Sequence, residues 1–160
     1  MEWREFESAA VDLASRAIEA FDRHHVGLLA TTRRDGSPRI SPVEPFFIAG
    51  RLVLGLMPWS GKARDLARDP RCELHNPVID VEGSGPEIRL HGQALPVRRD
   101  ELNGEDVGTW RFSQDEGSFA LVSFEITAAA SVSWETSRGR LILERWTPEG
   151  GIVRRTRSYP

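Results

Sequence analysis

The chain has 160 residues, 39% apolar and 28% charged, with a net charge of −3. That length suits one domain, 1–160, with a real core, and the composition excludes a disordered chain. The acid excess argues against a general nucleic-acid surface, no apolar run is long enough to span a membrane, and the start MEWREFESAA lacks a signal-peptide pattern, so the cytoplasm is the expected compartment.

In chain order, residues 5–23 predict one amphipathic helix. Val11, Ala14, Ile18 and Phe21 form a stripe, with Ala10 and Ala17 beside it. Glu5 and Glu7 suit its start, and Arg23 and His24 suit its end. Adjacent helical residues point apart, so His24 and His25 make a poor chelate. Val26–Thr32 reads as a strand, Asp35-Gly36 as a hairpin turn, Arg39–Ile48 as the return strand, and Arg51–Met57 as a third strand after a turn at Ala49-Gly50. Pro38, Pro42 and Pro45 cannot donate to a ladder, so the return strand must be an edge, bulged, or open to a ligand. Pro58-Trp59-Ser60-Gly61 ends the third strand, and a helix opens at Lys62 and stops before Pro70.

Residues 71–79 continue the sheet, with Cys72 as a small core hydrophobe. As the lone cysteine, Cys72 excludes an internal disulfide and a multi-cysteine cage, and no metal site is expected. Residues 80–86 are a loop, and 87–98 a long strand in which Gly92 marks a bulge or a close ligand approach. Residues 99–117 suggest a short helix and loop anchored by Trp110 and Phe112. Residues 118–126 form a strand, and 131–135 with 140–146 a final hairpin. The expected fold is mainly β with flanking helices: 1–25 helix, 26–146 barrel, and 147–160 a tail whose plain reading is a basic exposed strand, with Arg154, Arg155 and Arg157 offsetting acids elsewhere.

The chemistry concentrates where the third strand meets the helix. A helix start offers free N–H groups and a partial positive charge, which suit a phosphate. Ser60 can cap the helix or donate its hydroxyl. Lys62 is the only Lys in the chain, all other basic residues being Arg, and a cation in the first turn opposes the helix dipole unless an anion binds there. The alternative is a solvated surface Lys. Arg39 offers a planar fork for phosphate oxygens, with a cross-strand surface ion pair as its alternative.

Thr32, Arg34, Asp35-Gly36, Pro38, Pro42-Val43, Gly50 to Val53, Ser60, Lys62, Leu66 and Asp69-Pro70 together resemble the pyridoxamine 5′-phosphate oxidase-like proteins. The resemblance implies a split β-barrel of six to eight antiparallel strands, with the N-terminal helix covering one opening. It also implies a homodimer whose cofactor, FMN or the deazaflavin coenzyme F-420, lies in a groove between subunits. Its cofactor-binding positions fall on Arg39, Ile40, Ser41 and Pro42 of the second strand, Leu56 and Met57 at the end of the third, Ser60, Gly61 and Lys62 at the phosphate end, and Trp134 of the last hairpin. Its activity is hydride transfer to a small conjugated substrate. No nucleophile–base pair or usable carboxylate pair is visible, as suits cofactor-borne hydride chemistry, and no catalytic residue is assigned.

Some positions depart from the pyridoxamine phosphate oxidases themselves. Glu44 stands for a Lys, Ile142 for a substrate-contacting His and Glu144 for an Arg, so that particular oxidation is not expected. His91-Gly92-Gln93-Ala94 matches a family signature, with His91 read as structural. Two other readings fit the same residues. One is a non-enzymatic FMN or haem binder acting as carrier or sensor, and the other a structural homodimer without ligand.

Overall fold

The computed structural model describes residues 1–78, 85–102 and 119–158. The N-terminal segment forms two helices rather than the single one expected, α1 (Trp3–Ala9) and α2 (Val11–Asp22), with Ala10 out of helical geometry between them (φ −143°, ψ 54°). Periodicity could not reveal the break. The buried residues Trp3, Phe6, Ala10, Leu13, Ala14, Ala17 and Phe21 run across it at continuous helical spacing. Packing decides it: Trp3 meets Phe47 at a tilt with ring centroids 4.4 Å apart and Phe6 meets Trp146 edge-on at 4.8 Å, which anchors α1 to the sheet. Val11, expected on the buried stripe, is 63% exposed, and Leu13 is buried instead.

Among the described residues nine strands follow, all antiparallel: β1 (Gly27–Thr32), β2 (Pro38–Val43), β3 (Pro45–Ile48), β4 (Arg51–Leu56), β5 (Arg71–His75), β6 (Glu87–Pro96), β7 (Ala120–Glu135), β8 (Arg140–Thr147) and β9 (Gly151–Ser158). The expected return strand 39–48 is cut at Glu44 into β2 and β3. The tail after 146 is the basic exposed strand of its plain reading, and it pairs with β8 as β9. The strands expected at 118–126 and 131–135 are one 16-residue strand, β7. Arg99–Leu102 makes a single 3-10 turn, and the anchors proposed at Trp110 and Phe112 lie outside the described residues, as does most of the 80–86 loop.

The sheet order is β2-β1-β5-β6-β7-β4-β3, with β8 and β9 continuing from β7. β2 and β3 stand at opposite ends of that order, yet only Glu44 separates them in the chain. The sheet therefore curls until its ends meet, which makes it a barrel. β7 serves two partners on one edge: its first residues pair with β4 and its last with β8, so the barrel splits there. Gly92 does mark a bulge, with a register shift between His91 and Gly92. A Cβ at Gly92 would lie 2.0 Å from the Glu125 carbonyl oxygen, so only glycine allows β6 and β7 this approach.

Candidate functional site

Between β4 and β5 the chain builds α3 (Gly61–Arg68), and local chemistry explains both ends. Pro58 halts the strand, the Ser60 hydroxyl accepts the Ala63 N–H at 3.3 Å as N-cap, and Asp69-Pro70 closes the helix. Of its eight residues only Asp65 and Leu66 are buried. That face lies on β1, and β2 runs alongside β1. Along β2, Arg39, Ser41 and Val43 are the less exposed alternation, and Ile40 and Pro42 face outward.

The register sets Arg39 directly opposite Thr31 of β1, and both reach the Asp65 carboxylate. Arg39 Nε donates to Asp65 Oδ2 at 2.6 Å, and Thr31 Oγ1 donates to the same oxygen at 3.0 Å. Arg68 lies 3.6 Å from Oδ1 and also donates to the Thr32 carbonyl. Burial pushes the Asp65 carboxyl up, but the hydrogen bonds from Arg39 and Thr31 and the charges of Arg39 and Arg68 outweigh it and hold it below its usual value. The expected alternative for Arg39, a cross-strand surface pair, is thus replaced by a pair to a buried helix carboxylate.

The Arg39 guanidinium lies over the helix start. A Cβ at Gly61 would come within 2.7 Å of its Cζ and Nη1. Lys62 folds back so that Nζ donates to the Pro42 carbonyl at 2.7 Å, tying α3 to β2, and burial pushes its amine below the ordinary value. Beside Lys62 opens a cavity of about 280 Å³, walled by Val43, Glu44, Gly55, Met57 and Phe119 among others. Two cations, Arg39 and Lys62, stand with the Ser60 hydroxyl at the N-terminus of α3, with Glu44 on the cavity wall, while Arg68 at the far end of the helix serves Asp65. Such a donor set suits a phosphate, and the apolar cavity suits the body attached to it.

Of the predicted positions, the structure brings Arg39, Pro42, Ser60, Gly61 and Lys62 together, with Met57 on the adjoining cavity wall. Ile40 is 69% exposed on the outer side of β2, with Ser41 on the inner side. The Leu56 side chain is in the core, so only its backbone can serve a ligand. Trp134 lies elsewhere, near the end of β7 opposite Leu141 of β8. Sequence reasoning missed Thr31, Asp65 and Arg68. The available signals were a Thr among buried strand positions and an acid beside the one buried Leu of a short helix.

The departing positions have structural work. Glu144 pairs with Arg16 of α2 and lies 3.9 Å from Arg154 of β9. Ile142 is buried. His91 pairs with Glu73 across the β5–β6 ladder at 3.0 Å. His75 bonds the Asn76 carbonyl and Glu87. Among the described residues no group of His, Cys, Asp and Glu could hold a metal, and no helix is long and apolar enough to cross a membrane. A groove of about 520 Å³ lies on the β6–β9 face, lined by Arg89, Val132, Leu143, Arg145 and Arg155 among others, and contains none of the predicted site residues.

The sequence profile of the pyridoxamine 5′-phosphate oxidase family matches residues 14–134, which include β1 to β6, α3 and most of β7. The chain belongs to the pyridoxamine 5′-phosphate oxidase family. Solved structures with a similar fold include PhzG from Burkholderia lata 383 in complex with tetrahydrophenazine-1-carboxylic acid, at 16% identity and TM-score 0.67, over 94% of this chain and 93% of that one. A heme binding protein from Mycobacterium smegmatis superposes with TM-score 0.63 at 17% identity, over 92% and 88% of the two chains. A pyridoxamine 5′-phosphate oxidase-related, FMN binding protein from Nostoc punctiforme PCC 73102 gives 0.62 at 11% identity, over 91% and 94%. No curated protein matches the chain by sequence at a significant level.

Proposed function

We propose that this protein is an oxidoreductase that binds FMN or the deazaflavin F-420 and transfers hydride to a small conjugated substrate. The observation that carries this reading is the convergence of Ser60, Lys62 and Arg39 on the start of α3, beside an apolar cavity. Either cofactor, when bound, supplies the hydride chemistry. The chain's own residues hold and orient it. Lys62 Nζ has donors left after its bond to Pro42, Arg39 presents its terminal nitrogens, and Ser60 and the helix start add neutral donors. Met57 and Val43 line an apolar wall and restrict water. The Nostoc protein is described as FMN binding, and PhzG holds a partly reduced ring compound, which supports the same chemistry here.

The working unit is proposed to be a homodimer. At about 280 Å³ the cavity falls just below the usual size of ligand pockets, roughly 300 to 1,000 Å³. A flavin-sized molecule would project from it, past Ile40, Met57 and Trp59, which are 69%, 42% and 73% exposed. A second copy covering these residues would bury them and bring Trp134 to the shared groove. The substrate is not pyridoxamine 5′-phosphate in this proposal, because Ile142 is packed inward and Glu144 is committed to Arg16.

The Mycobacterium neighbour, described as heme binding, supports a second reading as a carrier, although no described histidine lines this cavity. The absorption spectrum of the purified protein, followed by titration of the apoprotein with FMN, F-420 and haem, separates the readings. Tight binding of FMN or F-420 with reduction of a conjugated acceptor is expected. Binding of haem alone, or of none of the three, would refute the oxidoreductase.

A further inference from the structure

Asp65 is 4% exposed, too deeply buried to touch a cofactor itself. It lies one turn after Lys62 on α3, facing the β1–β2 pair. There Thr31 and Arg39 are directly opposed, and both donate to its Oδ2. A single buried oxygen therefore joins three elements: β1 through Thr31, β2 through Arg39, and α3 through the backbone of Asp65 itself. The contact engages the Arg39 Nε edge. Among the described residues no protein hydrogen bond takes up Nη1 or Nη2. These two nitrogens lie over Gly61, within 2.7 and 2.9 Å of where a Cβ would stand. An arginine held by Nε cannot swing its fork away, so its two terminal nitrogens stay above the helix start that Ser60 caps. Arg68 stands on the far side of the carboxylate, 3.6 Å from Oδ1, and limits the movement of Asp65 in turn.

We propose that Asp65 is a positioning residue that fixes the Arg39 fork over the start of α3 and so makes the site select a phosphorylated cofactor over its phosphate-free form. The inference rests on the cofactor reading above and deepens it. The competing role is structural: Asp65 would merely neutralise a half-buried arginine, and its loss would loosen the whole site regardless of the ligand's phosphate.

The test compares FMN with riboflavin, which carries the same ring without the phosphate. If F-420 is the bound cofactor, F-420 is compared with its phosphate-free chromophore. Asp65→Asn keeps the size of the side chain and an acceptor oxygen but removes the charge. It should weaken FMN by at least about tenfold, the low end for a hydrogen bond to a charged group, and leave riboflavin within about twofold. Asp65→Glu, which restores the carboxylate, should recover part of the FMN affinity. In an Arg39→Met background, adding Asp65→Asn should change FMN affinity by less than about twofold, because two residues acting through one contact do not add. Arg39→Met/Asp65→Asn has no buried charge in the pair, so it provides a folded reference if Asp65→Asn alone does not fold. Equal loss of FMN and riboflavin, unchanged FMN affinity in Asp65→Asn, or a further FMN loss in the Arg39→Met background would each overturn the proposal. Failure of the wild type to bind either phosphorylated cofactor would instead remove the reading on which it rests.

Discussion

Lys62→Met removes the only lysine and keeps a side chain of similar length. Lys62 Nζ has three donors, and one is used on the Pro42 carbonyl at 2.7 Å. The others remain for a phosphate oxygen. A hydrogen bond to a charged group contributes about 1.5–3 kcal/mol. Its loss should raise the dissociation constant by roughly 10- to 150-fold, at about 1.4 kcal/mol per tenfold. Stability of the free protein should change little. The bond to Pro42 is lost, and because it is exposed to water it contributes about 0.5–1.5 kcal/mol rather than the full charged-group value, while removing a cation from a helix start returns about 0.3–1 kcal/mol. A net change within about 1 kcal/mol moves Tm by roughly 2–4 °C in a chain of this size. Lys62→Arg should recover part of the affinity, since the charge survives in a different shape. Fluorescence titrations of FMN and F-420 give the affinities, and melts of the apo forms give the stability. Unchanged affinity for a cofactor that the wild type binds would take Lys62 out of the site. A collapsed apo melt would show that its tie to Pro42 is what the fold needs it for.

Gly92→Ala would force a Cβ to within 2.0 Å of the Glu125 carbonyl oxygen and 2.7 Å of Phe124, so β6 and β7 must part. A loss of at least about 2 kcal/mol is expected, within the usual range for overpacking, and a Tm equal to wild type would show that the bulge relaxes freely. Burial, ahead of its other causes, pushes the Cys72 thiol up to about 12 from an ordinary 9.0. Thiol reagents near pH 8 should therefore label it on the order of a thousandfold more slowly than the unfolded chain, and matching rates would contradict its burial. The sign for stability follows. The unfolded thiol ionises first, so this contribution is complete below about pH 9 and declines as the pH climbs towards 12, a trend that a Cys72→Ala variant should lack. Light scattering at micromolar concentration should report a dimer, and a monomer would rule out the shared groove. Incubation with pyridoxamine 5′-phosphate should yield no pyridoxal 5′-phosphate, and brisk conversion would show that Ile142 and Glu144 do not decide specificity.

The features legible in the sequence were those that neighbouring residues settle among themselves. Asp35-Gly36 and Ala49-Gly50 specify their turns, as the positive φ of Gly36, Ala49 and Gly50 shows. Pro58, Ser60 and Pro70 bracket α3, and the order of turns, strands and capped helix carried the family resemblance. What stayed hidden depends on elements that meet only in the fold. No local signal breaks the helix at Ala10, because the buried run continues through it, and Trp146 and Phe47 decide where α1 must turn. The tail could be read as a basic exposed strand, but its partner could not, because every residue of β9 is exposed and the free edge it pairs with belongs to β8. The site divides in the same way. Ser60 and Lys62 could be read from their place at a helix start. The partner of Arg39 could not, because Asp65 lies 26 residues further on and Thr31 is 34 residues from Asp65. Only the packing of α3 across the β1–β2 pair puts one buried carboxylate within reach of both.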